Sequence, residues 1–500
     1  MIRAGWWLPL LFAAQALAQD DPMVGRYKQF FREEIAGKWE REGLAEMRVV
    51  MVRGFQRHDV PEAARWLMLK AMSDEAGDVV RAAVQILSNY KGPGTVAAMA
   101  DAWGKKFKKS PEGRALVLEA FGKIKLDTAE GPIAKGFKDR DARVAAAACL
   151  AAGAGPRIKF RADLEKLLKH KHPVVRAAAC TALAQLGGEQ SLPLIFKVFC
   201  GDASHRVRHD AWQACKKLTL LDLPCDPTAW QDFWKERAGE ATGDSKNPWG
   251  ATFPRLHAKA RPAASFFKIP VLADRIVFVL DTSNDMNSPW LIDHKTERKK
   301  PKADRIPSFF SVKTRWGLVK AYVNACLKQL PEDTRVAFVF YNLNVAVFPE
   351  TGKFLKNTKK SRGLIKKHLD EGVTLGGTTA LFDGLARGWG FLKEGDADTN
   401  FKKGCDTLVF VTDGRPTAGR LKKLPDRIRD EVWRVAASRQ IHVHAVGLHN
   451  HQFDLLQAMA KDSGALYVHA QQHGDPAEPQ DLDFWPKKKK AFEQARKKTK

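Results

Sequence analysis

Arg275-Ile-Val-Phe-Val-Leu-Asp-Thr-Ser-Asn-Asp285 runs from an unbroken apolar stretch into a polar loop with two carboxylates and two hydroxyls. Ile276 to Leu280 is too short for a helix and apolar on both faces, which predicts a buried strand. Similar runs are Arg335-Val-Ala-Phe-Val-Phe340, Thr407-Leu-Val-Phe-Val411 and Ile441-His-Val-His-Ala-Val446, with a shorter one at Leu466-Tyr-Val-His469. Helical patterns at Thr314 to Leu330, Thr379 to Leu392, Arg427 to Arg439 and Phe453 to Lys461 separate most of them. Strands alternating with helices predict an α/β doubly wound fold, a mostly parallel sheet covered on both faces. In such a sheet the ligand site lies beyond the carboxyl ends of the strands.

Three polar motifs fall at those ends. Asp281-Thr-Ser283-Asn-Asp285 follows the first strand, and Gly376-Gly-Thr378-Thr-Ala-Leu-Phe-Asp383 precedes a helix. Thr412-Asp413-Gly414 follows the Thr407–Val411 run. Carboxylates and hydroxyls on converging loops suit hard cations, which take oxygen ligands. The order, spacing and placement resemble a von Willebrand factor type A domain over about residues 272 to 471. The resemblance implies a metal-ion-dependent adhesion site, with Asp281, Ser283, Thr378 and Asp413 as ligands of Mg²⁺, or of Mn²⁺ or Ca²⁺.

Asp285 departs from that family, which has Ser at this position. A third carboxylate should hold the cation at least as well and offset more of its charge, weakening its pull on a partner's acidic group. The second departure is an insertion, Pro289 to Val312, with Lys295, Arg298, Lys299, Lys300 and Lys302. Lys353, Lys356, Lys359, Lys360, Arg362, Lys366 and Lys367 form another basic run. The two runs are either a basic rim that draws an acidic ligand or a solvated surface. His442 and His444 project to one face of a strand, with His449 and His451 after it. Strand packing and a polar loop account for them, and a histidine metal site is the alternative.

The amino-terminal half repeats. Asp78-Val-Val-Arg-Ala-Ala, Arg143-Val-Ala-Ala-Ala-Ala-Cys, His172-Pro-Val-Val-Arg-Ala-Ala-Ala and His205-Arg-Val-Arg-His-Asp-Ala are copies, with Glu112-Gly-Arg-Ala-Leu a worn one. Aligning Arg81, Arg114, Ala145, Arg176 and Arg208 gives steps of 33, 31, 31 and 32 residues. One helix pair per repeat predicts an all-α solenoid. About residues 60 to 222 resemble HEAT-type repeats. Asp20 to Lys70 should hold an amino-terminal capping pair, and a short helix with Trp230 and Trp234 should close the other end.

The chain is therefore multidomain: a leader at 1–18, a solenoid at 19–238, a linker at 239–268, the α/β domain at 269–471 and a basic tail at 472–500. Its 500 residues exceed one ordinary core. Hydrophobic residues at 44% and charged residues at 28% exclude a chain disordered throughout. Eighty-three Lys and Arg against 57 Asp and Glu leave a net charge of +26, which suits an acidic partner. Arg3, the apolar Trp6 to Leu17 stretch and Ala16-Leu17-Ala18 read as a signal peptide cut before Gln19, hence a secreted or periplasmic protein. No later segment is apolar for 18 residues, so no transmembrane span is expected. The Pro486 to Lys500 tail suits polyanions or anionic surfaces without nucleic-acid specificity.

Five of the seven cysteines lie between 149 and 225. Cys149 and Cys180 read as core residues, and Cys200, Cys215 and Cys225 are close enough in sequence for one disulfide, Cys215–Cys225 being one pairing. Phosphate-loop, H-E-x-x-H and G-x-S-x-G motifs are absent, which points away from an enzyme. The reading is an exported protein-interaction or adhesion scaffold with a cation site and an acidic protein partner. The alternatives are a metal-assisted hydrolase of phosphate or sulfate esters and a purely structural envelope protein. The pairing of the two architectures resembles bacterial envelope proteins of planctomycete type.

Overall fold

The computed structural model describes residues 22–39, 44–107, 110–155, 157–187, 189–219, 221–232, 263–301 and 305–471. The signal peptide, Trp234, Lys302, most of the linker and the basic tail lie outside the described residues. The chain divides into two compact units between Arg157 and Ile158.

The first unit is helical and repetitive. Its repeat-forming helices include Ala45–Gly54, Gly77–Asn89, Pro111–Lys123 and Ala142–Gly153, with partners such as Pro61–Leu69, Pro93–Lys106 and Glu130–Gly136. Small residues let these helices approach. A Cβ on Gly122 would lie 2.9 Å from the Ala151 backbone, so only glycine fits there.

The repeat arginine has a structural reason. Arg114 clamps Asp139 with two nitrogens at 3.0 and 3.2 Å, and Arg48 clamps Asp74 at 2.8 and 3.0 Å. Each of these carboxylates also accepts the N–H two residues on, from Asp141 and Ala76, ordering the turn into the next helix. Arg48 thus marks a repeat before those aligned in the sequence. Ala145 holds the equivalent place in its repeat, and there Arg143 pairs with Asp141 instead, at 2.7 Å.

The second unit begins with further repeats, Arg161–Leu167 with Pro173–Leu186 and Leu192–Gly201 with His205–Thr219. The same clamp recurs between Arg176 and Asp202, with both bonds at 2.7 Å. Trp230 is fully buried against Phe199, closing this stack as expected. No disulfide joins Cys200, Cys215 and Cys225. All three stand as thiols, and burial pushes the Cys215 thiol well up.

The α/β domain follows in the same unit. Its strands are β1 (Ala264–Phe266), β2 (Ile269–Val271), β3 (Arg275–Asp281), β4 (Arg335–Tyr341), β5 (Val345–Phe348), β6 (Leu355–Lys356), β7 (Thr407–Thr412), β8 (His442–Leu448) and β9 (Tyr467–Ala470). The main sheet runs β5-β4-β3-β7-β8-β9, with β6 also on β4. Strands β4, β3, β7, β8 and β9 are parallel, and β5 and β6 are antiparallel to β4. Alternate residues of β3 feed two cores. Ile276, Phe278 and Leu280 face one, with Leu318, Val319 and Val323, and Val277 and Val279 face the other, with Leu381, Leu385 and Val432.

The β1–β2 hairpin lies partly inside the stretch expected to be linker. It turns through Phe267 and Lys268, both at positive φ (48° and 64°). Such turns usually carry Asn or Gly, so no sequence signal marks this one. Phe266 and Phe267 are fully buried, and that burial holds the strained turn. The chain returns beside the repeats, where Ala263 N–H bonds to Cys225 O at 3.0 Å.

The last repeats are docked on the amino-terminal edge of the sheet. Asp274, just before β3, accepts the His205 N–H at 2.8 Å and the Ser204 hydroxyl. His205 Nε2 lies 3.2 Å from Asp333, and Arg206 donates to the Asp406 and Gln440 carbonyls at 2.7 and 3.1 Å. The cation motifs lie at the opposite edge.

Candidate metal centre

Asp281 ends β3, and its backbone places the carboxylate fully inside the domain. Its Oδ1 accepts the Ser283 N–H at 2.9 Å, which bends the chain into the polar loop. Its Oδ2 accepts the Thr412 hydroxyl at 2.7 Å, joining the first motif to the end of β7. The three loops are also stitched by backbone bonds. Asn284 N–H reaches Gly377 O at 3.1 Å, and Gly376 N–H reaches Thr282 O at 2.9 Å. Thr379 O accepts the Thr417 and Ala418 N–H groups at 3.0 and 3.1 Å.

The predicted ligands separate into two groups. Asp281, Ser283 and Asp413 are buried, whereas Asp285 and Thr378 sit at the exposed rim. Burial, and next the Asp413 carboxylate, push the Asp281 carboxyl up to about 7. Burial also raises Asp413, with Asp285 adding to the rise and Arg315 opposing it. Within hydrogen-bond reach, Ser283 Oγ and Asp413 Oδ1 are buried with no partner. Buried polar atoms are almost always satisfied. Ser283 Oγ and one oxygen of Asp413, close to the Asp281 carboxylate, are donors that an oxygen-loving cation would complete, so the set fits a hard divalent ion.

The residue sequence reasoning missed is Arg315. Its guanidinium donates to Asp413 Oδ2 at 2.8 Å, and the pair is buried. It heads the Arg315–Gln329 helix, which starts where the insertion returns to the chain. Trp290 N–H bonds to Lys313 O at 2.9 Å and Arg315 N–H to Ser288 O at 3.1 Å, so the excursion leaves and re-enters at one place. Thr314 caps that helix through Gly317 N–H at 3.0 Å. Thr314→Ala should lower stability by about 1 kcal/mol, read as an earlier urea midpoint.

The second basic run does not stay at the carboxyl edge throughout. Lys356 lies opposite Arg335 at the amino end of β4, far along the strand from the carboxylates. Its successor helix Lys359–Lys367 leads to His368, which packs on Phe340. In the insertion, Lys300 pairs with buried Glu297, and Arg298 stacks over Phe310 at 4.9 Å.

A buried pocket of oxygen donors lies at the carboxyl edge of a doubly wound α/β sheet. Residues 275–478 match the von Willebrand factor type A domain model, and residues 161–232 match the HEAT repeat model. The chain thus joins a stretch that matches HEAT repeats to one that matches the von Willebrand factor type A domain, two modules that support a protein-interaction scaffold. A von Willebrand factor type A protein from Catenulispora acidiphila is similar at 15% identity and TM-score 0.29, over 42% of this chain and 39% of that one. The PilB minor pilin from Streptococcus sanguinis is similar at 14% identity and TM-score 0.27, over 45% and 60%. A search of curated proteins finds no match. Among the described residues no helix is long and apolar enough to cross a membrane.

Proposed function

We propose that this chain is an exported scaffold whose type A domain holds a divalent cation and presents it to an acidic group of a protein partner. The carrying observation is the pair of buried, partnerless oxygens, Ser283 Oγ and Asp413 Oδ1, between loops already stitched together. Asp281, Ser283 and Asp413 would hold the ion, with Thr378 and Asp285 closing it at the rim. Mg²⁺ suits this all-oxygen set, and Mn²⁺ and Ca²⁺ are the other ions to test. When bound, the ion supplies an electrophilic contact for a carboxylate. The residues of this chain position it and keep bulk water from its inner side. The proposal is binding without turnover.

Calorimetry of the full chain with each ion tests the reading. Saturation at 100 times the dissociation constant should add about 2.7 kcal/mol of stability, and Asp413→Ala should remove that gain. Binding of none of the three ions to folded protein would end the proposal. Export is tested separately: mass spectrometry of the native protein should find a terminus near Gln19, and an intact Met1 in the cytosol would refute it. The +26 charge supports an acidic partner.

A further inference from the structure

His209 and Asp210 on the His205–Thr219 helix meet His442 and His444 on β8. Neighbouring residues on a helix normally face apart. Here His209 Nδ1 comes to 3.2 Å from Asp210 Oδ1, and His442 Nε2 comes to 3.4 Å from the same oxygen. The three donor atoms lie within 4.8 Å of one another, and among the described residues no other group of three such side chains does. A tetrahedron of ligands about 2.0–2.1 Å from a zinc ion has edges of about 3.3–3.4 Å. The two measured separations are such edges. The His209 imidazole is buried against the rings of Trp212, His442 and His444, with its Nδ1 turned to Asp210.

We propose that His209, Asp210 and His442 form a structural zinc site that rivets the last repeat to the amino-terminal edge of the type A sheet. Two imidazoles and a carboxylate are zinc donors, and a water in the fourth position would complete the tetrahedron. His444 is a wall of the site and not a ligand. Its Nδ1 accepts the Leu466 N–H at 3.1 Å, which leaves the proton on Nε2. Arg206 donates through Nε to both Asp210 oxygens at 3.2 Å and is itself fixed by the Asp406 and Gln440 carbonyls. It orients the ligating carboxylate from behind, as outer partners of metal ligands do. Its positive charge opposes the ion, and the carboxylate of Asp210 balances it. The site is distinct from the oxygen-donor centre in ligand chemistry and in position, since the two occupy opposite ends of the strands.

The test uses tag-free full-length protein grown with zinc and dialysed against EDTA. Elemental analysis should find about one zinc per chain. The double variant His209→Gln/His442→Gln should retain at least tenfold less, while Asp413→Ala should retain it all. Cobalt added to zinc-stripped wild-type protein should give the intense visible bands of tetrahedral coordination. Wild-type protein without zinc, or zinc retained by the folded double variant, would overturn the proposal. If the double variant does not fold, the cobalt spectrum of the wild type decides: no tetrahedral bands means no such site.

Discussion

Arg315→Met should destabilise the metal-free protein by about 3 kcal/mol and make its stability strongly dependent on divalent cations. The side chains of Arg315 and Asp413 are 10% and 0% exposed. Removing one partner of a buried pair leaves an uncompensated charge, at a cost of about 3–5 kcal/mol. Protonation of Asp413, whose carboxyl burial already raises, caps the loss near the lower end. The guanidinium also occupies one of the oxygens that a cation would use. Its removal should therefore tighten Mg²⁺ binding, and saturating Mg²⁺ should recover most of the lost stability. Urea unfolding with and without Mg²⁺ measures both effects. A variant equally destabilised in the two conditions would mean that Arg315 only supports packing, and that ion and guanidinium do not compete. The arrangement gives the centre two ways to balance Asp413: a tethered cation from the chain, or a free one from solution.

The α/β domain was legible because its strands are apolar on both faces. The Ile276–Leu280 and Leu408–Val411 runs fall within β3 and β7, and the polar triplets that follow mark the functional edge. The repeat arginines were legible as a period, but their purpose was not. Asp74, Asp139 and Asp202 recur two repeats apart, a second period that could have revealed the clamp. Arg315 carried no signal, since nothing local says that the first helical residue after a long insertion turns into the centre. The docked edge was equally silent. Ser204, His205 and Arg206 look like ordinary helix-start residues, and Asp274, Asp333 and Asp406 look like solvated turns. Their pairing spans 69 to 200 residues and exists only after the sheet forms. His451, expected in a polar loop, is buried and bonds the Tyr467 hydroxyl at 2.6 Å, again through tertiary packing.

Asp406→Asn should stabilise the protein at pH 8 by about 1–3 kcal/mol and bring little or nothing at pH 4. Asp406 precedes β7 at the docked edge, where its Oδ2 accepts the Arg275 N–H at 2.9 Å. Burial, and next the neighbouring Asp274, push its carboxyl up to about 7 from an ordinary 3.8. The folded protein therefore holds this proton more tightly than the unfolded chain does. Stability falls as pH rises from 3.8 towards 7 and stays at the lower level above it. Three pKa units would amount to about 4 kcal/mol. The residue keeps part of its surface in water, so screening reduces that figure. Asn keeps an acceptor for Arg275 and carries no charge to desolvate, so it removes the penalty without removing the bond. Its amide can also donate to the Thr407 hydroxyl, which lies 3.1 Å from the carboxylate. The difference in unfolding free energy between variant and wild type, followed from pH 4 to pH 8, isolates this group because other titrations cancel. A difference that does not grow with pH would show that Asp406 ionises freely. The same edge would then hold two full negative charges, Asp274 and Asp406, against Arg206, and the attachment of the last repeat to the sheet would be chiefly electrostatic and weakened by salt.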